Sequence, residues 1–377
     1  MNYRQFGKTD FKVSALGFGA MRLPQKNGEI DEQEATRMLH YAVDNGVNYI
    51  DTAWPYHNEM SEPFVGRALQ HGYRKKVKIA TKQPGWLIEK KSDCDTYLNQ
   101  QLQRLQTDHI DFYLLHGLFS FRWEHILKTD ILGWARDALK DGRIGHIGFS
   151  FHGTLPVFKD IIDHYNWDFC QIQYNYMNEE FQAGTKGMEY AHQKGVAVVI
   201  MEPLLGGLLA VPQGRMKEIW DASGLDPVDV ALRWLWNKPE VATVLSGMST
   251  MDQVTQNIAI ASSLNTNSVS AEELAVIERI LAVFDELSPI PCTKCEYCMP
   301  CPNGVNIPRN FDLYNQAITY NNLFMGKAHY NWHTEESERA SSCTECALCE
   351  EKCPQGIKIS ELMPQVHETL IFKDGEV

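Results

Sequence analysis

The chain has no excess of positive charge and no long apolar run. Lysine and arginine number 35 against 48 aspartates and glutamates, a formal net charge of −13. Nucleic acid and anionic membrane surfaces both call for basic patches, so neither is expected as a partner. The greasiest stretch, 196–211, is interrupted by Glu202, Pro203 and the pair Gly206-Gly207. It is too short and too broken to span a bilayer. The opening Met1-Asn2-Tyr3-Arg4-Gln5 lacks the charged-then-apolar character of a secretion signal, and a cytoplasmic location is expected. Cysteine is scarce over most of the chain, with Cys94 and Cys170 alone before residue 292. A disulfide framework would be spread over a secreted fold, and this distribution argues against one.

What is present is an ordinary globular composition, 44% apolar and 22% charged over 377 residues. That is enough for one large domain and a smaller one. Residues 2–13, with Gly7-Lys8-Thr9-Asp10 in the middle, fit a hairpin. Beyond it, short apolar strands are predicted at 15–20, 47–52, 77–81, 111–116, 146–150, 169–174, 196–201 and 243–247. Helical spacing lies between them at 32–45, 61–71, 93–105, 133–141, 156–164, 184–194, 227–237 and 251–263. Eight strand–helix units over about 250 residues suit a closed α/β barrel, the (β/α)8 TIM barrel. A doubly wound sheet would want a third glycine and an immediate helix after Leu16-Gly17-Phe18-Gly19-Ala20-Met21, and both are missing. In a barrel the active site sits at the C-terminal strand ends, which places Asp51, Lys82, His116, Ser150, Gln173 and Glu202 on one rim.

A tyrosine hydroxyl, with a pKa near ~10, is a poor proton shuttle at neutral pH. An ammonium about 4 Å away, at an effective dielectric of ~20, favours the phenolate by up to ~4 kcal/mol, or roughly three pK units. Tyr56 and Lys82 could form such a pair, Asp51 holding the lysine charged and His116 holding a carbonyl oxygen in line. Taken singly, Asp51 reads as a helix cap, Lys82 as a solvated charge, Tyr56 as a core aromatic and His116 as a satisfied core histidine. Their shared rim is what favours the joint reading. Met21, Trp54, Trp86 and Leu118-Phe119 are pocket candidates, although such residues are more often packing.

The stretches Asp51-Thr52-Ala53-Trp54-Pro55-Tyr56, Ala80-Thr81-Lys82 and Tyr113-Leu114-Leu115-His116 resemble motifs of the aldo-keto reductases. So do Gly145-His146-Ile147-Gly148-Phe149-Ser150, Gln171-Ile172-Gln173-Tyr174-Asn175 and Pro203-Leu204-Leu205-Gly206-Gly207, all in family order between about Tyr3 and Leu264. The resemblance implies a (β/α)8 barrel that binds NAD(P)H without a dinucleotide fold and acts on a small carbonyl-type substrate. It implies Tyr56 as general acid, Lys82 as the group that lowers its pKa, Asp51 as partner of Lys82, and His116 as substrate orienter. The cofactor would meet Ser150, Gln173, Met201, Ser246, Gly247, Met248, Gln253 and Asn257. Three of these places depart from the family pattern. Ser150 is followed by Phe151 instead of Asn, Met201 replaces the aromatic that stacks on nicotinamide, and 247–253 carries Asp252 and no cation for a 2′-phosphate. NADH is therefore expected over NADPH.

The other eight cysteines form two runs. Cys292, Cys295, Cys298 and Cys301-Pro302 make the first, and Cys343, Cys346, Cys349 and Cys353-Pro354 the second. Isolated CxxC pairs would suit zinc. Two such runs, each with a proline after its last cysteine, resemble the bacterial two-cluster ferredoxin pattern, in which the fourth cysteine ligates the other cluster. That implies one 4Fe–4S cluster on Cys292, Cys295, Cys298 and Cys353, and a second on Cys343, Cys346, Cys349 and Cys301. The helical-looking insert at 307–324, with 334–339 helical or mixed, resembles α-helical ferredoxins. The expected division is a barrel at 1–287 and a ferredoxin-like domain at 288–377.

Hydride carries two electrons and a cluster one, and a flavin joins the two kinds of transfer. Three functions follow: a reductase exchanging electrons with its clusters, through a flavin if one binds; a carbonyl reductase with structural or redox-sensing clusters; or an electron carrier acting with a redox protein partner.

Overall fold

The structure, a computed structural model, describes residues 1–263, 269–292, 294, 297–353 and 355–373. Eight strands alternate with helices. They are β1 (Leu16–Gly19), β2 (Tyr49–Asp51), β3 (Lys78–Gln83), β4 (Ile110–Leu118), β5 (Ile144–Phe151), β6 (Phe169–Gln173), β7 (Ala197–Met201) and β8 (Val241–Ser246). All neighbours pair in parallel and the sheet closes on itself in the order β6-β7-β8-β1-β2-β3-β4-β5, the barrel expected from the strand–helix alternation. Helices run antiparallel connections between the strands: α1 (Glu32–Asp44), α2 (Ser61–Ala68), α3 (Lys91–Arg104), α4 (Ser120–Lys128), α5 (Ile131–Lys140), α6 (Leu155–His164), α7 (Gly184–Gln193), α8 (Gly214–Ser223), α9 (Pro227–Trp236) and α10 (Met251–Ser262). Of these, α4 and α8 lie outside the helices read from spacing. Each buries only two side chains, Trp123 with Ile126 and Met216 with Trp220, too narrow a stripe to stand out.

The expected hairpin pairs Tyr3–Gln5 with Lys12–Ser14 in antiparallel register. It delivers Phe6, fully buried, to the N-terminal end of the barrel. There the ring packs against Phe112, Phe169 and Tyr49 at 4.7, 5.6 and 5.9 Å between centroids. Closing that end with apolar bulk leaves the C-terminal strand ends as the polar face of the barrel.

By packing, the chain divides into two compact units, 1–205 with 226–270, and 206–225 with 271 onward. The boundary expected at 287/288 follows composition, whereas α11 (Ala271–Leu287) groups with α8 in the second unit, where Arg215 pairs with Glu286 at 2.9 Å. That unit also holds α12 (Ile307–Thr319), α13 (Leu323–Trp332) and α14 (Ile359–Leu370). They are tied together by Gln365 donating to the Tyr314 hydroxyl and by Tyr330 meeting His367, both at 2.8 Å. The insert between the cysteine runs is thus helical. The stretch after α13 holds two short 3-10 turns, Glu336–Glu338 and Ala340–Ser342. No helix among the described residues is long and apolar enough to cross a membrane.

Candidate active site and cysteine centre

Parallel register sets the centre of the site. Asp51, the last residue of β2, lies opposite Ala80 of β3. Lys82, two residues further along, points to the same face, so its side chain reaches back over the β2 terminus. The Lys82 Nζ donates to Asp51 Oδ1 at 2.7 Å, to the Thr52 carbonyl at 2.9 Å and to the Tyr56 hydroxyl at 3.3 Å. Both partners of the ion pair are buried, Lys82 being 1% exposed and Asp51 3%. The His116 ring on β4 faces the Tyr56 ring edge-on at 6.4 Å between centroids.

Burial acts to lower the Lys82 pKa, but the charges and hydrogen bonds of Asp51 and Tyr56 together hold it above the ordinary lysine value. Burial raises the Asp51 carboxyl while Lys82 pulls it down. With the two groups 2.7 Å apart, the ion pair is the form the contact supports. Tyr56 departs from expectation. Burial is the largest influence and leaves its pKa above that of an ordinary phenol, with Lys82 pulling down and Asp51 and Glu202 pushing up. The cost of placing a phenolate near carboxylates in a dry site exceeds what the ammonium returns. A protonated Tyr56 is nonetheless the state a proton donor needs.

Tyr56 sits in a turn with unusual backbone. His57, Asn58 and Glu59 have φ of 51, 53 and 68°, three successive left-handed residues without a glycine. Side chains compensate for that conformation. His57 Nε2 accepts from the Leu23 amide at 3.1 Å and its Nδ1 meets Gln25 at 2.9 Å. Arg104 stacks on Trp54 with its guanidinium carbon 3.5 Å from the ring centre, and donates to Glu59 at 2.6 Å. The same arginine approaches buried Glu62 at 3.5 Å. Glu62 accepts from Thr81 at 2.7 Å and from Gln101 at 2.6 Å, and Gln101 also donates to the Lys82 carbonyl at 3.0 Å. A polar network thus backs Lys82. Its members lie far apart in the chain, and sequence reading missed Arg104, Glu62 and Gln101 because only the fold brings them together.

The expected cofactor residues lie at the ends of β5 to β8 and just beyond, and their side chains are partly committed. Ser150 Oγ accepts from the Gly117 amide at 2.7 Å. Gln173 is buried with no partner on Oε1 among the described residues, an acceptor suited to a carboxamide N–H. The Met201 sulfur accepts from Gln171 at 3.7 Å. Asn257 donates to Ser246 at 3.0 Å, and both are buried, as is Met248. Gln253 folds back to accept from the Ser249 amide at 2.8 Å, while Thr250 caps α10. A Cβ on Gly247 would lie 3.2 Å from three carbons of Arg22, so the glycine lets an arginine from the loop after β1 lie on the cation-free 247–253 loop. Of the pocket candidates, Met21 and Trp86 are exposed and Phe119 half-buried, whereas Trp54 and Leu118 are buried packing.

In the second unit, Cys301, Cys343, Cys346 and Cys349 come together. Burial raises the Cys343 thiol, helped by Cys301 and Cys346, and burial raises that of Cys349, helped by Cys343 and Cys301. Glu345 and Ala347 have φ of 55 and 57°, bending the backbone between successive cysteines, and the Glu345 amide donates to the Cys343 sulfur at 3.4 Å. The two runs thus approach one another at Cys301, Cys343, Cys346 and Cys349 with one backbone amide on a sulfur, a donor set of the kind an iron–sulfur cluster uses, although no three such side chains among the described residues are arranged to hold a metal ion. In the other set Cys295 lies outside the described residues. Burial acts to lower the Lys294 pKa, but Asp312, 2.6 Å away, holds it above the ordinary lysine value, with Asp285 and Cys292 adding lesser contributions. Cys94 and Cys170 are buried in the barrel unit.

Residues 15–282 match the aldo/keto reductase family and residues 291–357 a 4Fe-4S dicluster domain. The protein tas of Escherichia coli is 28% identical over 356 residues, covering 77% of this chain and all of that protein. The L-galactose dehydrogenase of Arabidopsis thaliana is 28% identical, covering 76% and 96%. An NADH-specific methylglyoxal reductase of Escherichia coli is 25% identical, covering 71% and 94%. Among solved structures, the holo form of aldo-keto reductase AKR11C1 from Bacillus halodurans superposes with a TM-score of 0.63 at 28% identity, covering 74% of this chain and 96% of that one.

Proposed function

Because the chain belongs to the aldo/keto reductase family and carries a 4Fe-4S dicluster domain, we propose that it reduces a small carbonyl compound to the alcohol, with Tyr56 as proton donor. The observation that carries this reading is the buried Lys82 ammonium, shared between Asp51 and the Tyr56 hydroxyl. The family uses NAD(P)H, which when bound supplies a hydride to the carbonyl carbon. Negative charge then grows on the substrate oxygen, held between His116 and Tyr56. Tyr56 gives up its proton to that oxygen, Lys82 steadies the phenolate left behind, and solvent restores the proton. Ser150 and the open Gln173 acceptor would hold the carboxamide, and the segment Ser246–Gln253 with Asn257 would hold the nucleotide end.

NADH is favoured over NADPH because 247–253 has Asp252 and no lysine or arginine, and one relative is NADH-specific. Arg22, lying on Gly247, is the group that would reverse this order, and comparing Kd for the two cofactors decides it. Cys301, Cys343, Cys346 and Cys349 would hold one cluster, and Cys292, Cys295, Cys298 and Cys353 the other, in a cytoplasmic protein. When bound, the clusters supply one-electron transfer. A second reading has a flavin beside the barrel site and a redox protein as partner, and it is favoured by Met201, which stands where the family pattern puts an aromatic to stack on nicotinamide. The absorption spectrum of anaerobically purified protein separates them, a flavin band supporting the second. Tyr56→Phe should abolish carbonyl reduction and spare cluster content; unchanged turnover would refute the proton-donor role.

A further inference from the structure

Next to His116 stands a cation whose charge the barrel leaves uncompensated. Arg122, in the first turn of α4, lies with its guanidinium carbon 5.4 Å from the Trp86 ring centre and 5.3 Å from that of Phe119. Trp86 in turn lies 5.4 Å from the His116 ring. The Arg122 Nη1 donates to the backbone carbonyls of His116 at 3.0 Å and Gly117 at 3.3 Å. Gly117 leaves room for this contact: its φ is 63°, and a Cβ there would come within 2.9 Å of Nη1 and push the guanidinium aside. Burial lowers the Arg122 pKa, and no carboxylate among the described residues pairs with it. A cation drawn out of water without a counter-charge is costly, and an arriving anion would supply one.

The unspent donors define the shape of that anion. With Nη1 committed to two carbonyls, the parallel N–H groups on Nε and Nη2 remain, and they have no protein acceptor among the described residues. That edge of a guanidinium matches a carboxylate in bidentate geometry. The two flanking rings favour a flat or apolar spacer. The guanidinium is anchored to the main chain of the residue whose imidazole faces Tyr56, and Trp86 lies against both, so an anion held there would sit beside the candidate site.

We propose that Arg122 is a specificity residue that selects carbonyl substrates bearing a carboxylate, held between Trp86 and Phe119. The assignment rests on the reductase reading of the same site. It is tested on the full chain with its clusters and NADH, by comparing 4-carboxybenzaldehyde with 4-methylbenzaldehyde. The wild-type ratio of kcat/KM should favour the carboxylate by roughly 10- to 100-fold. Arg122→Gln should bring the ratio close to one, mainly through KM, and Arg122→Lys, which keeps charge but loses the fork, should fall between. A wild-type ratio near one, or an equal loss on both aldehydes in Arg122→Gln, overturns the proposal.

Calorimetry with the alcohols keeps the outcome independent of turnover. 4-Carboxybenzyl alcohol should bind more tightly than 4-methylbenzyl alcohol, and Arg122→Gln should abolish the difference. A protein that reduces neither aldehyde yet shows this Arg122-dependent binding loses the reductase reading and keeps the carboxylate subsite. Equal binding of the two alcohols to the wild type removes the subsite.

Discussion

Replacing Lys82 with methionine tests the centre of the site, because the structure gives both a rate and a stability consequence. The ammonium lies 3.3 Å from the Tyr56 oxygen. At an effective dielectric of ~20, Coulomb's law gives about 5 kcal/mol between Nζ and a full phenolate. With the proton about half transferred at the transition state, about 2.5 kcal/mol is lost, or roughly 100-fold in kcat. The variant also leaves Asp51 buried without its cation, and breaking one side of a buried pair costs about 3–5 kcal/mol of stability. The double variant Asp51→Asn/Lys82→Met removes the stranded charge. Its denaturant midpoint should recover most of the lost stability, while its rate stays at the level of Lys82→Met. Single-turnover reduction and urea melts on the three proteins supply the test. If Lys82→Met keeps its rate within about threefold, or the double variant regains it, the ammonium does not act on the phenol.

Arg104→Ala should lower thermal stability by about 1–3 kcal/mol and reduce kcat, since it removes the cation stacked on Trp54 and leaves Glu62 buried without it; a melting curve equal to wild type would separate the arginine from the turn it spans. His57 carries a pH signature. Burial lowers its pKa, so on acidification the unfolded chain takes up the proton first, and stability should fall as pH drops below about 6.5. Protonation would also cancel the acceptor that the Leu23 amide uses. His57→Asn should flatten the pH dependence of melting between pH 5 and 8, and an unchanged slope would assign the effect elsewhere. Cys301→Ser should bring iron content toward half and leave cofactor binding to the barrel intact, as iron analysis and NADH titration would show; full iron retention would mean that this cysteine is not a ligand.

Eight strands were legible because each is a short apolar run bounded by polar or turn residues, as in Ala197–Met201 and Ile110–Leu118. Their ends were less so. The strand expected at 47–52 is regular only from Tyr49, because the Asn48 side chain is spent on the hairpin, accepting from the Ser14 amide and donating to the Lys12 carbonyl. Asp51, Tyr56, Lys82 and His116 could be read because each sits at or just past a strand end, where the barrel itself supplies the third dimension. Arg22, Arg104 and Arg122 could not. Each acts across a separation that only tertiary structure closes, Arg104 on Trp54 and Arg122 on Trp86. The net direction of the Tyr56 pKa was not legible for a related reason. A spacing in sequence shows which charge could approach the phenol, but the direction of the shift depends on how much water the whole rim excludes.

The left-handed turn after Tyr56 joins these points into one argument. Three non-glycine residues at positive φ each cost strain that glycine would avoid. That conformation persists only where surrounding contacts over-determine it, and two of the three side chains provide them: His57 on the β1 loop and Glu59 on Arg104. Arg104 continues through Glu62 and Gln101 to the Lys82 carbonyl, so the strand that presents the ammonium and the turn that presents the phenol share one polar network. The 3.3 Å between Lys82 and Tyr56 is therefore set from both sides by named contacts. Glycine at 57 or 59 would relieve the backbone strain and remove the anchor together, so such variants should fold yet lose rate, a combination that simple strain relief does not give.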